Sequence, residues 1–165
     1  RNLHAIYLEL ETALAQHGAH PVLAPIDDPA LRRRAALEAD LALLAGDDWA
    51  SALPLAPAGR DYARRLQHCA DAEPALLLAH AYVRYLGDLS GGQVLQGIVA
   101  RSLRLADGRG TAFYRFEARD ALELATRFRA GLDAVRLDAG AADAIVREAC
   151  WAFAAHVRLF EELQG

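Results

Sequence analysis

At 165 residues, 54% hydrophobic and 24% charged, the chain has the composition of one globular domain, not of a disordered or fibrous segment. A net charge of −4 argues against nucleic acid as a partner, since phosphate contacts need a basic face, and the one arginine run (Arg32, Arg33, Arg34) is flanked by Asp27, Asp28, Glu38 and Asp40. No apolar run approaches the roughly 20 residues that cross a bilayer.

The dominant period is helical. Leu3, Ile6, Tyr7, Leu10 and Leu14 share one face of a first helix that Gly18 is placed to cap. A second helix is expected from Asp28 as N-cap, with Pro29 at its first position, to Gly46, its apolar face carrying Leu37, Leu41 and Leu44. Pro54, Pro57 and Gly59 mark a loop before a third helix over 60–70. Pro74 opens a fourth stretch, 74–105, interrupted by Gly87, Gly91, Gly92 and Gly97. A turn at 107–110 precedes a fifth helix over 118–137, broken at 138–140. The last helix runs to about Leu163 with Phe153, Val157 and Phe160 on one side. With no repeat and no credible strand pair, the class is all-α: a single-domain multi-helix bundle over 1–165.

Cys69 and Cys150 have no zinc-type spacing and read as two free buried thiols, with a structural disulfide as the minor alternative. The chain contains no Met and begins at Arg1, so it is expected to start inside a longer protein.

The stretch AHAYVRYLGDLSGGQVL (79–95) carries the chemistry. Three glycines in six residues cost a helix about 1 kcal/mol each relative to alanine. A backbone reason for that cost is close approach to a flat partner, or a bend. At i, i+3 and i+4 spacing, Arg84, Gly87, Asp88, Gly91 and Gly92 share one stripe: a bare floor with one carboxylate in it. The residues alone leave a second reading equally open, a kinked helix whose glycines admit a neighbouring helix, with Arg84 and Asp88 as a surface ion pair.

This run resembles the signature of the haem oxygenase family, whose distal helix has a Gly-Asp-x-x-Gly-Gly kink. NLHAIYLELE, RRAALEADL, AFYRF (112–116) and VRLFEEL (157–163) resemble further segments of that family, in its order, so the likeness spans essentially the whole chain. The resemblance implies oxidative cleavage of haem to biliverdin with release of carbon monoxide and ferrous iron. Haem is then both substrate and cofactor, O2 the oxidant, and an external reductase or ferredoxin the electron donor, since no flavin or nicotinamide motif is found. It implies a catalytic set of Asp88, Arg84 and Tyr7, with Asp88 acting through water and not ligating the metal. Gly87, Gly91 and Gly92 would meet the haem, Arg129 would pair with a propionate through its guanidinium fork, and Phe153 and Phe160 would line the pocket. Taken singly, Tyr7 also reads as a buried tyrosine with a satisfied hydroxyl, Arg129 as a solvated arginine, and the phenylalanines as plain core.

Two residues depart from the pattern. His156, one turn from both phenylalanines, is placed to join the polar network, but it stands where the family commonly has another residue and is left out of the catalytic set. The family's axial histidine has no match, since His4, His17, His20, His68, His80 and His156 all fall outside its motif; it is expected upstream of Arg1. His80, within the signature, reads as a packed core histidine. A di-iron bundle is disfavoured because no Glu-x-x-His pair occurs. A non-catalytic haem carrier or sensor is the rival reading, and Asp88 is the residue such a protein would not need. The chain ends at Gly165 without a hydrophobic tail, which favours a soluble, cytoplasmic bacterial enzyme.

Overall fold

The stripe from Leu3 to Leu14 forms α1 (Asn2–Gln16), on which Ile6, Tyr7, Leu10 and Leu14 are at most 1% exposed. The computed structural model describes residues 1–105, 108–116 and 121–164, without the side chain of Gln93. Along it follow α2 (Arg34–Ala45), α3 (Trp49–Ala52), α4 (Pro57–Ala72), α5 (Leu77–Ala81), a π-helical turn (Tyr82–Leu86), α6 (Gly87–Ser102), α7 (Ala121–Ala134) and α8 (Ala139–Gln164). The expected all-α class holds, with no strand among the described residues.

Burial orders these helices. α1 lies along α4, and α8 packs across α4 and α5. Tyr62, Leu66, Leu77, Leu124 and Phe128 meet the α1 stripe in one core, each contributing about 1.5–3 kcal/mol of apolar burial. α7 rides on the turn Ala24–Ile26, where a side chain at Gly131 would run into the Pro25 carbonyl oxygen.

Several boundaries differ from the sequence reading for local reasons. The Asp28 carboxylate does cap, accepting from the Ala30 amide, but it starts only the 3-10 turn Pro29–Leu31. The chain is extended at Arg32, and α2 begins at Arg34, its first amides satisfied by Glu11 reaching over from α1. Gly18 is not the cap of α1; His17 closes that helix at φ −108. Pro57 is not loop but the first residue of α4, a position that needs no amide hydrogen. Asp138 does not simply break the chain, since its carboxylate accepts from the Ala141 amide at 2.8 Å and starts α8. The expected Asp107 turn position and the expected helix start at 118–120 lie outside the described residues. Cys69 is buried as expected, but Cys150 is exposed on the outer face of α8, and both are free.

Behind the core face of α8 a polar strut ties α4, α5 and α8. Arg65 forks onto Glu148, which is 4% exposed, and the Nε2–H of His80 donates to Glu148 at 3.0 Å. The Tyr62 hydroxyl donates to Nδ1 of His80, and the Cys69 thiol donates to Glu148. Burial opposes ionisation of Glu148, yet the Arg65 and His80 hydrogen bonds outweigh it and hold the carboxyl down at about 2. Burial also lowers the His80 pKa and keeps it neutral, so Arg65 supplies the charge. Cys69, His80 and Glu148 are the one grouping of three metal-type ligands among the described residues. Their lone pairs and hydrogens are used by one another and by Arg65 and Tyr62, and burial pushes the thiol up to about 12. The cluster is therefore a strut that confirms His80 as a packed histidine.

Both shifts have the same sign for folding. Unfolded His (about 6.5) and unfolded Glu (about 4.5) bind protons that the folded chain does not, so stability falls as pH drops through these values. Chemical-denaturation midpoints followed from pH 8 to 3 should decline below about 6.5 and more steeply below about 4.5. Glu148→Gln should remove the lower limb and cost about 2 kcal/mol at pH 7; an unchanged acid limb would contradict the strut. Gly131→Ala should cost about 1–3 kcal/mol by urea unfolding, because its new methyl meets backbone that cannot step aside.

Candidate functional site

The π-helical turn Tyr82–Leu86 comes immediately before the glycine-rich segment, and α6 then runs unbroken through Gly87, Gly91, Gly92 and Gly97. The irregularity expected at the glycines thus lies one turn earlier. One extra residue in that turn rotates the helix face, a local change of register that π-turns often provide at functional sites. Gly87 itself is ordinary helix at φ −59.

Two of the three signature glycines form an open floor. At Gly87 and Gly91 no neighbouring element among the described residues lies within 4 Å of where a side chain would begin. Gly92 is different: it is buried against Tyr114, whose carbonyl oxygen would stand 3.5 Å from its missing Cβ, so it serves helix packing and not the floor. The floor continues at helical spacing into Val94, Leu95 and Ile98, all well exposed. On α8 a second exposed apolar face carries Val146, Phe153, Val157 and Phe160. Phe153 at 55% and Phe160 at 60% exposure are not plain core. Phe153 also borders an apolar hollow of about 360 Å³ with Leu78, Tyr82, Leu132 and Ile145. Contiguous exposed apolar surface of this kind marks a ligand groove or an interface.

Beside the floor four elements bring polar groups together. Tyr7 of α1, 0% exposed, donates its hydroxyl hydrogen to Oδ2 of Asp88. Arg84 Nη2 donates to Asp88 Oδ1 at 3.0 Å, and Arg84 Nε donates to the Tyr7 oxygen at 3.2 Å. The guanidinium carbon stands 5.2 Å from the Tyr7 ring centre. The third face of Arg84 meets His156 of α8, with Nη1 2.6 Å from Nε2. Arg84 and Asp88 are 12% and 10% exposed, so the surface ion pair that the residues alone allowed is in fact largely buried. The aromatic rings of Tyr85 and Phe113 hold Tyr7 from two sides. Phe113 is held in turn by Asp40, whose carboxylate accepts from the Ala112 and Phe113 amides at 2.8 Å each.

Burial dominates the electrostatics. It lifts Asp88 well above the usual carboxylate range and lowers Arg84. Desolvation also raises the Tyr114 phenol, with Asp88 the next cause. A carboxyl group that burial disposes to hold its proton, next to a floor with room above it, is equipped as a proton donor to whatever lies there.

Asp88, Arg84 and Tyr7 are therefore brought together, with Gly87 and Gly91 beside them, while Arg129 lies exposed on α7. His156, set aside in the sequence reading, belongs to the same cluster. Its placement was readable from spacing: it is i+4 from Ala152, i+1 from Ala155 and i−3 from Leu159, all buried, between the outward Phe153 and Phe160.

A family model described as "Heme oxygenase" matches residues 1–162. The chain is 39% identical to heme oxygenase 1 of Nostoc sp. over 99% of its own length and 69% of that relative. It is 40% identical to human heme oxygenase 1, covering 58% of it. Among solved structures, heme oxygenase-2 from Synechocystis in complex with heme and NO superposes with a TM-score of 0.94 at 37% identity, covering 98% of this chain and 68% of that one. Sequence, fold and the buried Asp88 cluster beside a glycine floor agree, and the chain belongs to the haem oxygenase family.

Proposed function

We propose that residues 1–165 act as one haem oxygenase domain in which Asp88, Arg84 and Tyr7 form the catalytic set and Gly87 and Gly91 the floor on which haem rests. The observation that carries this is the Asp88 carboxyl group, buried and tethered at both oxygens, beside helix surface with nothing above it. The residues fit the group. Missing side chains at Gly87 and Gly91 leave space against the backbone for a flat macrocycle, and Phe153, Val157 and Phe160 offer apolar surface.

Bound haem supplies the iron centre that activates dioxygen, and it is itself the ring that is opened to biliverdin, carbon monoxide and ferrous iron. The chain supplies position and protons. Gly87 and Gly91, with no side chains, would let the ring come close to the helix backbone. Asp88 holds a proton that burial favours and delivers it through water, while Arg84 at Oδ1 and Tyr7 at Oδ2 stop the carboxyl group from turning away. Phe153 and Phe160 cover apolar surface of the ring, and Arg129, exposed on α7, is assigned to a propionate. We assign the axial iron ligand to none of the six histidines here, since none lies in the family's ligand motif; the engagement of His80 with Glu148 and Tyr62, and of His156 with Arg84, supports this for those two. Electrons enter from an external donor, as the family requires, and we assign a reductase or a ferredoxin. No helix among the described residues is long and apolar enough to cross a membrane. The free Cys69 and Cys150 support a reducing, cytoplasmic setting. A carrier or sensor of the same fold would need the floor but not a proton-holding Asp88.

Two measurements test this. With haem, an electron donor, air and catalase, Asp88→Ala should still form the haem complex, within about threefold of the parent affinity. Its rate of ring opening, read from Soret loss and biliverdin absorbance, should fall about 10²–10³-fold. Equal loss of haem binding would refute the role given to Asp88. Gly91→Leu should raise the thermal midpoint of the ligand-free chain, by about 0.5–1 kcal/mol of helix propensity, and weaken haem binding at least about tenfold. Undiminished haem binding would show that the floor is not the haem surface.

A further inference from the structure

His156 is the member of the cluster that the family pattern did not supply, and both of its ring nitrogens are committed. Nδ1 lies 3.0 Å from the Ala152 carbonyl oxygen one turn earlier on α8, an acceptor only, so Nδ1 must carry the hydrogen and donate. Nε2 is then an unprotonated acceptor, and Arg84 Nη1 donates to it at 2.6 Å. The tautomer is thus set by the helix backbone. Each of the three Arg84 nitrogens donates one hydrogen bond, Nε to Tyr7, Nη2 to Asp88 and Nη1 to His156.

We infer that His156 is a positioning residue which, through its Nε2 lone pair, holds the Arg84 guanidinium against Asp88 and so sets how that carboxyl group binds its proton. Without the acceptor, a buried Nη1–H is left unpaired at a cost comparable to the Arg84–Asp88 hydrogen bond itself, and the guanidinium has reason to swing away from Asp88. Asp88 would then lose its cation and bind its proton more tightly. The charged and titratable groups around the pair are Tyr7 from α1, Tyr62 from α4, His80 from α5, Tyr85 from the π-turn, Asp88 from α6, Tyr114 from the turn Ala112–Tyr114, and Glu148 on α8 itself behind His80. Of these only Asp88 accepts a hydrogen bond from Arg84 through a carboxyl group, which becomes an anion on losing its proton. The His156 ring also stands perpendicular to Tyr62 at 5.0 Å, which fixes its plane. Burial and the nearby Arg84 lower its pKa to about 4, so the acceptor persists across the neutral range. The inference rests on Asp88 being the proton donor proposed above, and its test separates the two.

The test compares the parent chain with His156→Ala, His156→Leu and His156→Asn, asparagine being the shorter side chain that still offers an acceptor. Carboxyl 13C NMR of the haem-free protein would follow the Asp88 titration, and imidazole 15N shifts would report the tautomer. We expect the Asp88 titration to move upward by at least one pH unit in the Ala and Leu variants and to return most of the way in Asn. In the loaded enzyme kcat for ring opening should fall about tenfold in Ala and Leu with KM for haem unchanged, and its pH dependence should shift with Asp88. An Asp88 titration identical in parent, Ala and Leu would overturn the inference. So would equal effects in all three variants, which would make His156 a matter of packing volume. A coupled titration in a chain that never opens haem would leave the positioning intact and sink the functional reading instead.

Discussion

Everything at the site depends on keeping one carboxylate, one guanidinium and one phenol out of water at the meeting of four elements. A buried charge pair survives only if nearly all its hydrogen bonds are made. Here α1 brings Tyr7, the π-turn Arg84, α6 Asp88 and α8 His156. Each element supplies a hydrogen-bond partner that the largely buried Arg84 or Asp88 would otherwise lack. The helices are therefore held not only by apolar burial but also by the demand that this cluster be closed, which fixes the rotation of each about its axis.

The same demand explains why the surroundings are rigid. Asp40 pins the turn Ala112–Tyr114 by two amide hydrogen bonds, and that turn presses Phe113 on Tyr7 and Tyr114 on Gly92. On the opposite side of His156 the Arg65–Glu148–His80–Tyr62 strut ties α8 to α4 and α5. The two polar systems have opposite electrostatics. Glu148 has a guanidinium forked onto both oxygens and gives up its proton easily. Asp88 shares its guanidinium with two other acceptors and is left dominated by desolvation. One carboxylate is built to hold helices together and the other to hold a proton.

Stability and use pull apart along α6. Glycines at 87 and 91 weaken the helix and fill no neighbour's space, and apolar side chains at 94, 95 and 98 stand exposed. None of that favours the folded chain by itself. Under the function proposed above it is intelligible as a surface kept for a flat apolar partner.

The helical period alone determined the all-α class, the α1 stripe and the sharing of one face by Phe153, Val157 and Phe160, because such patterns depend on spacing within one segment; that this face points outward only the packing of α8 decided. The signature at 79–95 likewise made Arg84, Asp88 and the glycines legible, since all lie within two turns of one helix. Only tertiary structure decided the rest. Whether Arg84 and Asp88 form a surface pair or a buried one depends on α1 and α8 closing over them. Gly92 parts from Gly87 and Gly91 because the Tyr114 turn lands on it. The second helix starts at Arg34 because Glu11 caps it from across the core, where local rules favoured Asp28. His156 became part of the site because its partner is 72 residues away in sequence. Such contacts are set by how helices pack, and spacing along a single chain segment carries no record of them.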